Sequence, residues 1–319
     1  MTARPSTSGA TRLNPEALLH RALPTLRQRY EARDTIVYAL GVGAAQGADA
    51  WDEQHLRFVY EDRLQALPTM CAMLCDPGFW MREPDTGLDW QRLVHGEQSM
   101  QWLRPLPPAG EVIGRNRVLR VEDRGPDRGA AFVVERELCD ADTGACWVRS
   151  WMTVIARGDG GFSPASGPLL RLGADALAPL PPLPDRPADR ALIRATATHQ
   201  PLLYRLSADL NPLHADPAVA RQAGFERPIM HGMCTFGLLG MLLVSEFCDF
   251  EAHRLTEMRA RFSAPLYPGE TLRCEFWQEA GTVQFRGTAI ERDVVVLDRG
   301  VARILPHESN PGDIHHDRA

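Results

Sequence analysis

Three side chains able to move protons lie close together in the second half of the chain. Asp209, Asn211 and His214 have the spacing D-x-N-x-x-H, and Pro212 disfavours the α conformation at Asn211. The segment is therefore predicted to form a turn, which can bring the three polar tips to one point. A carboxylate and an imidazole at one point are groups that general acid–base catalysis uses.

A buried helix is predicted shortly after this turn. Pro228 precedes His231 and Gly232, and residues 233–247 are almost wholly apolar, with Glu246 their only charge. The N-terminus of a helix carries unpaired N–H groups and the positive end of the helix dipole, and this one points back toward the turn. An acid/base pair that faces such donors suits proton transfer beside an acyl carbonyl, because the donors hold the enolate oxygen.

Each neighbouring residue also has a structural explanation. Asp and Asn are common in turns, and a histidine before a helix often caps it or packs against it. Tyr204 fits a core tyrosine as well as a pocket residue, and His231 fits capping or packing better than donation to the site. Ser207 is expected to bond either Asp209 or the turn backbone.

Zinc-compatible residue types occur in the same region. His214 and Asp216 form H-x-D on a turn, and His231 and Cys234 form H-x-x-C across a helix start. No matching ligand set stands elsewhere in the sequence, so we expect no metal.

Composition excludes several classes of chemistry. The 319 residues are 44% hydrophobic with a net charge of −6, which offers no general basic footprint for nucleic acid. The sequence contains no lysine, so its 35 basic residues other than histidine are arginines. A Schiff-base, pyridoxal or P-loop lysine is therefore excluded.

The sequence favours a cytoplasmic protein, and the arginine bias indicates a GC-rich, bacterial genome. The seven cysteines form no C-x-x-C pair, which is typical of reduced thiols. No apolar run reaches the length of a membrane span, and residues 1–15 have no signal-peptide core. We expect neither a nucleic-acid nor a membrane partner.

Two halves with one plan are predicted. Residues 14–30 have helical spacing, residues 36–44 are too glycine-rich for a good helix, and strand-like runs follow. The predicted strands of the first half are 94–103, 112–121, 130–139 and 146–156, and those of the second are 192–197, 255–262, 271–277, 282–291 and 294–305.

A Pro/Gly-rich stretch separates the two halves and reads as an extended surface linker. The predicted organisation is an N-terminal unit at 1–157 that begins with a loose tail, a linker at 158–190, a C-terminal unit at 191–306 and a polar tail at 307–319.

The halves are predicted to be divergent copies of one unit. Tyr38-Ala39-Leu40-Gly41 parallels Tyr204-Arg205-Leu206-Ser207, and Glu97 falls at the repeat position of Glu257. That position favours a structural task for Glu97 at a strand start, with a role on the substrate side as the alternative. Where the second copy has its acid and base, residues 42–45 read Val-Gly-Ala-Ala and supply neither.

The same stretches resemble a known family. YRLSADLNPLHADP with GFERPIMHG resembles the signature of the MaoC-like hydratase 2 proteins, and YALGVGA, LPTM, LVHGEQ, RPLPPAG and RARFSAPLYPGE extend the likeness from about residue 30 to 305. One departure is Ala208, where the family usually has glycine. The resemblance implies an α+β double hotdog, in which each of two repeats wraps an antiparallel β-sheet around a long central helix.

The resemblance also implies an activity. The family members are (R)-specific 2-enoyl-CoA hydratases, which add water reversibly and syn to trans-2-enoyl-CoA and give (3R)-3-hydroxyacyl-CoA. By this likeness Asp209 and His214 hold the water and shuttle protons, Asn211 orients the water, and the Gly232 N–H is the oxyanion donor. The implied substrate is an acyl-CoA, no cofactor is implied, and fatty-acid oxidation or the metabolism of branched or sterol-derived acyl groups is the expected setting.

Two other function classes stay open at this point. A hotdog acyl-CoA thioesterase would direct water at the carbonyl and release free CoA, whereas a non-catalytic acyl-CoA-binding scaffold would leave the enoyl group unchanged. The first half is expected to shape the acyl pocket, since it lacks the acid and base. A homodimer is compatible with this architecture but not required, because a double hotdog already contains two units in one chain.

Overall fold

A computed structural model describes residues 13–175, 177–207 and 209–307, and an antiparallel sheet of eleven strands dominates it. The strands are β1 Leu26–Tyr30, β2 Leu93–Trp102, β3 Gly110–Asp123, β4 Ala130–Asp140, β5 Cys146–Ala156, β6 Arg171–Gly173, β7 Arg190–Ala195, β8 Leu255–Phe262, β9 Thr271–Glu279, β10 Thr282–Ala289 and β11 Val294–Ile304. Their order across the sheet is β1-β3-β4-β5-β2-β8-β11-β10-β9-β7, and β6 pairs with β3.

The two halves of the chain meet at one strand pair. The first six strands lie on one side of the β2–β8 pair and the remaining strands on the other. The antiparallel register runs from Glu97 opposite Arg261 to Gln101 opposite Glu257. Side chains of β2 can therefore reach elements of the second half.

The described helices are short except for one. They are α1 Pro15–Leu19, α2 Ala32–Gly41, α3 Glu53–Leu56, α4 Gln200–Tyr204, α5 Pro217–Gln222 and α6 Gly232–Phe247. Every residue of α6 from Cys234 to Val244 is buried, as expected for a helix that is apolar on all sides and enclosed by a sheet. The helix predicted from the apolar run at 233–247 is confirmed, and Gly232 is its first residue.

The first half departs from the expected elements in two places. The predicted helix at 14–30 is wrong: α1 ends at Leu19, Pro24 follows, and the chain continues as β1. The expectation against a helix at 36–44 is also wrong, because α2 covers most of that stretch. Its N-terminus is fixed by Asp34, whose carboxylate accepts from the Glu31 N–H at 2.9 Å, and its glycine stands at the last position.

The described part of the first half has no helix as long as α6. Residues Pro68–Met73 form a 3₁₀ helix of six residues instead. Cys75 then adopts a positive φ of 51°, and Pro77 follows. A residue in the left-handed region followed by proline ends the helix at this point.

The segment between the halves is fastened to the sheet at Asp123. The Asp123 carboxylate accepts from Gly161 N–H at 2.8 Å and from Ser163 N–H at 2.7 Å. Burial raises the pKa of Asp123, but these bonds, with that from the Ser163 hydroxyl, outweigh burial and lower the pKa to about 2. The linker therefore lies in a defined path, and part of it forms β6.

Of the helices that the structure describes, none has the length and apolarity needed to cross a lipid bilayer.

Candidate active site

The D-x-N-x-x-H segment folds as two consecutive side-chain-capped turns. Asp209 Oδ1 accepts from the Asn211 N–H at 3.2 Å, and Asn211 Oδ1 accepts from the Leu213 N–H at 3.1 Å. The second bond caps a single 3₁₀ turn, Pro212–His214. Because short local bonds hold the backbone, the position of His214 relative to Asp209 is set within the turn itself.

His214 is held in one orientation by the chain before α6. Its side chain is buried, and Nδ1 lies 2.9 Å from the carbonyl oxygen of Ile229. A carbonyl accepts only, so we infer that Nδ1 carries the proton and that Nε2 presents a lone pair. Burial lowers the pKa of His214 below its ordinary value, although the Ile229 carbonyl and Asp209 oppose the shift. The imidazole is therefore neutral near pH 7 and able to accept a proton at Nε2.

The imidazole ring of His231 stacks against the imidazole ring of His214. The ring centroids are 3.8 Å apart with planes 30° from parallel, and His231 Nε2 lies 3.2 Å from the backbone oxygen of Asp209. His231 is 1% exposed, and burial, reinforced by the neighbouring His214, lowers its pKa to about 3. A permanently neutral imidazole thus donates to the Asp209 carbonyl and ties the turn to the start of α6. This contact fits the packing role better than direct donation to a substrate.

The ligand atoms of Asp209, His214 and His231 all lie within 4.8 Å of one another. One carboxylate and two neutral imidazoles are types that bind zinc. The two rings are nearly parallel and stacked, however, and lone pairs in stacked ring planes do not converge on one ion. The geometry therefore favours an acid–base site over a metal centre.

The N-terminus of α6 supplies the hydrogen-bond donors. Among the described residues no acceptor contacts the Gly232 N–H, and the His231 side chain does not cap the helix. A Cβ atom at Gly232 would lie 3.1 Å from the Phe262 ring. Glycine therefore lets the Phe262 ring pack closely against the start of the helix, beside this N–H.

Three buried polar atoms around the turn lack a protein partner. Within the described ranges, Arg205 Nε, Ser207 Oγ and His231 Nδ1 are inaccessible and have no hydrogen-bond partner. The bond expected from Ser207 to Asp209 or the turn backbone is therefore not seen, and Ala208 lies outside the described residues. Unpaired groups in such a cluster are costly in an ordinary core and are common where a substrate binds.

Other residues singled out from the sequence are in different surroundings. Tyr204 is fully buried, donates its hydroxyl hydrogen to Met73 Sδ at 3.2 Å, and packs 4.9 Å from the His231 ring. Glu97 accepts from Arg261 at 2.8 Å across the β2–β8 junction. Tyr204 is therefore a buried packing neighbour of His231, and Glu97 links the two halves of the sheet through Arg261.

One residue of the first half was not singled out from the sequence. His95 precedes Glu97 in the stretch LVHGEQ, and its ring centroid lies 4.4 Å from that of Phe262, which borders Gly232. Only the pairing of β2 with β8 reveals that His95 faces the site, and no local pattern carries that information.

The low pKa of His231 predicts an acid-sensitive fold. Above pH 6.5 this residue is neutral in both the folded and the unfolded chain; between 6.5 and 3 only the unfolded chain binds the proton, so stability falls as pH falls. Between pH 7.5 and 5 the wild type should lose about 2 kcal/mol more unfolding free energy than His231→Gln. Urea unfolding of both proteins at the two pH values measures the difference, and equal losses would contradict it.

Both halves of the chain match known protein families. Residues 180–299 match the MaoC like domain, and residues 28–158 match the MFE-2 hydratase 2 N-terminal domain. The chain is 38% identical to 3-hydroxyacyl-thioester dehydratase Y of Mycobacterium tuberculosis, over 86% of this chain and 92% of that protein. It is 34% identical to the peroxisomal enoyl-CoA hydratase 2 of Arabidopsis thaliana, over 89% and 93% of the two chains.

Solved structures have the same fold. The MaoC-like dehydratase of Phytophthora capsici superposes with a TM-score of 0.80 at 28% identity, covering 92% of this chain and 99% of that one. A Mycobacterium tuberculosis protein described as a double hotdog superposes with a TM-score of 0.54 at 16% identity, covering 89% and 96%. The predicted double hotdog is confirmed, but of the two long central helices expected, the described residues contain only α6 of the second half.

Proposed function

The chain belongs to the MaoC-like hydratase 2 family, and from that premise we propose that Asp209 and His214 are the acid–base pair of its reaction. The protein is a hydro-lyase of the enoyl-CoA hydratase 2 type. It interconverts trans-2-enoyl-CoA and water with (3R)-3-hydroxyacyl-CoA. The observation that carries the residue assignment is the free Nε2 of a buried, neutral His214 beside Asp209, next to the unpaired N–H of Gly232.

The geometry supports a definite sequence of bond changes. A water held by Asp209 and His214 loses a proton to the pair as its oxygen bonds to C3 of the enoyl group. The electrons of the double bond move toward the thioester oxygen, and the Gly232 N–H stabilises the enolate. The pair then returns a proton to C2 on the same face, so that one water is added and no cofactor is consumed. Asn211, whose Oδ1 caps the turn, has its amide N–H groups available to orient the water.

We propose that the first half shapes the pocket for the acyl chain. A cavity of about 260 Å³ lies between the 3₁₀ helix Pro68–Met73 and the residues just before the catalytic turn. Its lining combines the apolar residues Met70, Met73, Leu74 and Leu206 with polar ones, among them Arg29, Asp34 and Ser207. Flexible methionines suit irregular apolar ligands, which supports medium, long, branched or sterol-derived acyl groups as substrates.

The domain boundaries and the cellular setting belong to the same proposal. The unit at 1–157 serves the acyl chain, the linker at 158–190 connects it, and the unit at 191–306 carries the catalytic residues. We propose that the protein acts in the cytoplasm of a bacterium, in the oxidation of fatty acids or related acyl-CoA compounds. It acts there as a monomer or a homodimer.

A panel of thioesters tests the activity. Purified protein should remove the enoyl absorbance of crotonyl-, decenoyl- and branched enoyl-CoA, and chiral analysis should find the 3R alcohol. Release of free CoA would instead identify a thioesterase. An unchanged absorbance on every substrate would favour a non-catalytic binding protein.

Replacing Gly232 by proline tests the oxyanion donor. Proline is tolerated at the first position of a helix but has no N–H, and the extended backbone of His231 before it (φ −60°, ψ 133°) is compatible with a following proline. We expect Gly232→Pro to lower kcat by a factor on the order of 10² to 10³.

Gly232→Ala is the matched control, since it adds a Cβ near Phe262 but keeps the N–H. Steady-state assays on crotonyl-CoA give kcat for both variants. If alanine and proline cost the same, crowding rather than the lost donor explains the defect, and the oxyanion assignment is wrong.

A further inference from the structure

His95 is turned toward the site by an irregularity in its strand. The register of β2 against β5 shifts between His95 and Glu97, so that Gly96 is an extra residue. His95 contacts the Phe262 ring, whereas Glu97 bonds Arg261. Since Arg261 and Phe262 are consecutive in β8 and point to opposite faces, the bulge places His95 and Glu97 on opposite faces as well. Bulges of this kind often redirect a side chain beside an active site.

The imidazole of His95 has one free nitrogen. The Gln98 side chain and the Glu97 backbone lie close enough to influence the ring. Nε2 is inaccessible to solvent and has no hydrogen-bond partner in the part of the chain that the structure describes, so we infer that these two groups face Nδ1. Gln98 donates from Nε2 to Ser99, which leaves its Oε1 to accept from Nδ1–H. We infer that the neutral ring presents a lone pair at Nε2.

The electrostatics agree with a neutral ring. Burial lowers the pKa of His95 to about 4, and Asp209 is near enough to oppose the shift. Near pH 7 the residue can therefore accept a hydrogen bond at Nε2 but brings no positive charge to the catalytic carboxylate. An unpaired buried acceptor costs stability, so its retention in a core points to a ligand donor.

An enoyl-CoA has several N–H and O–H donors, but the second pantetheine amide, the hydroxyls and the adenine amine are remote from the thioester, and a single amide N–H lies next to it. The acyl chain has no N–H or O–H, and the hydroxyl formed at C3 lies with Asp209 and His214. The amide N–H of the pantetheine arm lies three bonds beyond the thioester sulfur. One aromatic ring, Phe262, separates His95 from Gly232, where the thioester oxygen binds. A group that extends from the thioester across the Phe262 ring would therefore approach His95.

We propose that His95 is a substrate-positioning residue supplied by the first half, and that its Nε2 accepts a hydrogen bond from the pantetheine amide next to the thioester. The proposal rests on the hydratase function above. It gives the first half a role in aligning the thioester with Gly232, in addition to its role around the acyl chain.

Two small thioesters separate this bond from every other effect of a mutation. Crotonyl-N-acetylcysteamine contains the amide N–H, and crotonyl-S-(2-acetoxyethyl) thioester replaces it with an ester oxygen of nearly the same shape. The wild type should prefer the amide by about 3- to 10-fold in kcat/KM, as expected for one hydrogen bond. The ratio of the two values does not depend on the fraction of folded enzyme.

In His95→Leu the ratio should fall to about 1, because leucine cannot accept a hydrogen bond. His95→Gln retains an acceptor oxygen and should keep part of the preference. His253→Leu, a change at an exposed histidine, should keep all of it. An unchanged ratio in His95→Leu, or a wild type without preference, would overturn the proposal. A wild type that hydrates no enoyl thioester would instead overturn the proposed function.

Discussion

Asp209→Asn is expected to lower kcat for enoyl-CoA hydration by a factor on the order of 10² to 10⁴ while the protein stays folded. Asparagine keeps the side-chain oxygen that accepts from Asn211 N–H, so the turn is preserved. The backbone oxygen that His231 contacts is also unchanged. What asparagine removes is the ability to take a proton from water and return one to C2.

The matched control lies seven residues further along the same segment. Asp216 caps α5 by accepting from the Ala218 N–H at 2.7 Å, and asparagine is an equally good N-cap. Asp216→Asn should therefore keep wild-type turnover and stability. Single-turnover assays with circular dichroism on both variants decide the matter, and near-wild-type activity in Asp209→Asn would remove this carboxylate from the mechanism.

The second half could be predicted well because its signals are local. A run that is apolar on all sides predicts a buried helix, and α6 begins at Gly232 and ends at Phe247. The spacing of Asp209, Asn211 and His214 likewise encodes the turn, since the bonds that hold it join residues two apart. Local bonds of this kind can be read from spacing alone.

The remaining features depend on contacts between distant segments. The stacking of His231 on His214, and the approach of His95 to Phe262 from another half of the chain, follow from how strands and helices pack. Such contacts cannot be predicted from the spacing of residues in the sequence. Helix α2 escapes prediction for a different reason: the glycine content of residues 36–44 indicates a poor helix, but Gly41 occupies the last position of α2, where glycine costs little.

The corresponding helices of the two halves, α2 and α4, meet in the core. Tyr38 and Tyr204, which occupy matching repeat positions, pack with ring centroids 6.0 Å apart. A Cβ at Gly237 of α6 would lie 2.6 Å from both Tyr38 Oη and Val42. The end of α2 thus packs tightly against α6, the helix that begins beside His231 and the Asp209–His214 turn. This close packing supports the view that the first half gave up acid–base residues for a structural task.

His214 offers two substitutions that separate proton transfer from positioning. Asparagine places its amide nitrogen near the position of Nδ1, so His214→Asn can still donate to Ile229 O, whereas His214→Gln places an amide near the position of Nε2. Neither amide accepts a proton near neutral pH. Both variants should therefore lose kcat by a factor on the order of 10² to 10⁴.

The pH profile distinguishes this mechanism from simple disruption of the site. Because burial lowers the pKa of His214 below 6.5, the wild type should hold its kcat/KM as pH falls to about 6.5 and lose it only at lower pH, where the imidazole becomes protonated. The residual activity of both variants should lack that acid limb. If either variant keeps near-wild-type turnover, or both keep the wild-type acid limb, His214 is not the group whose protonation controls the reaction.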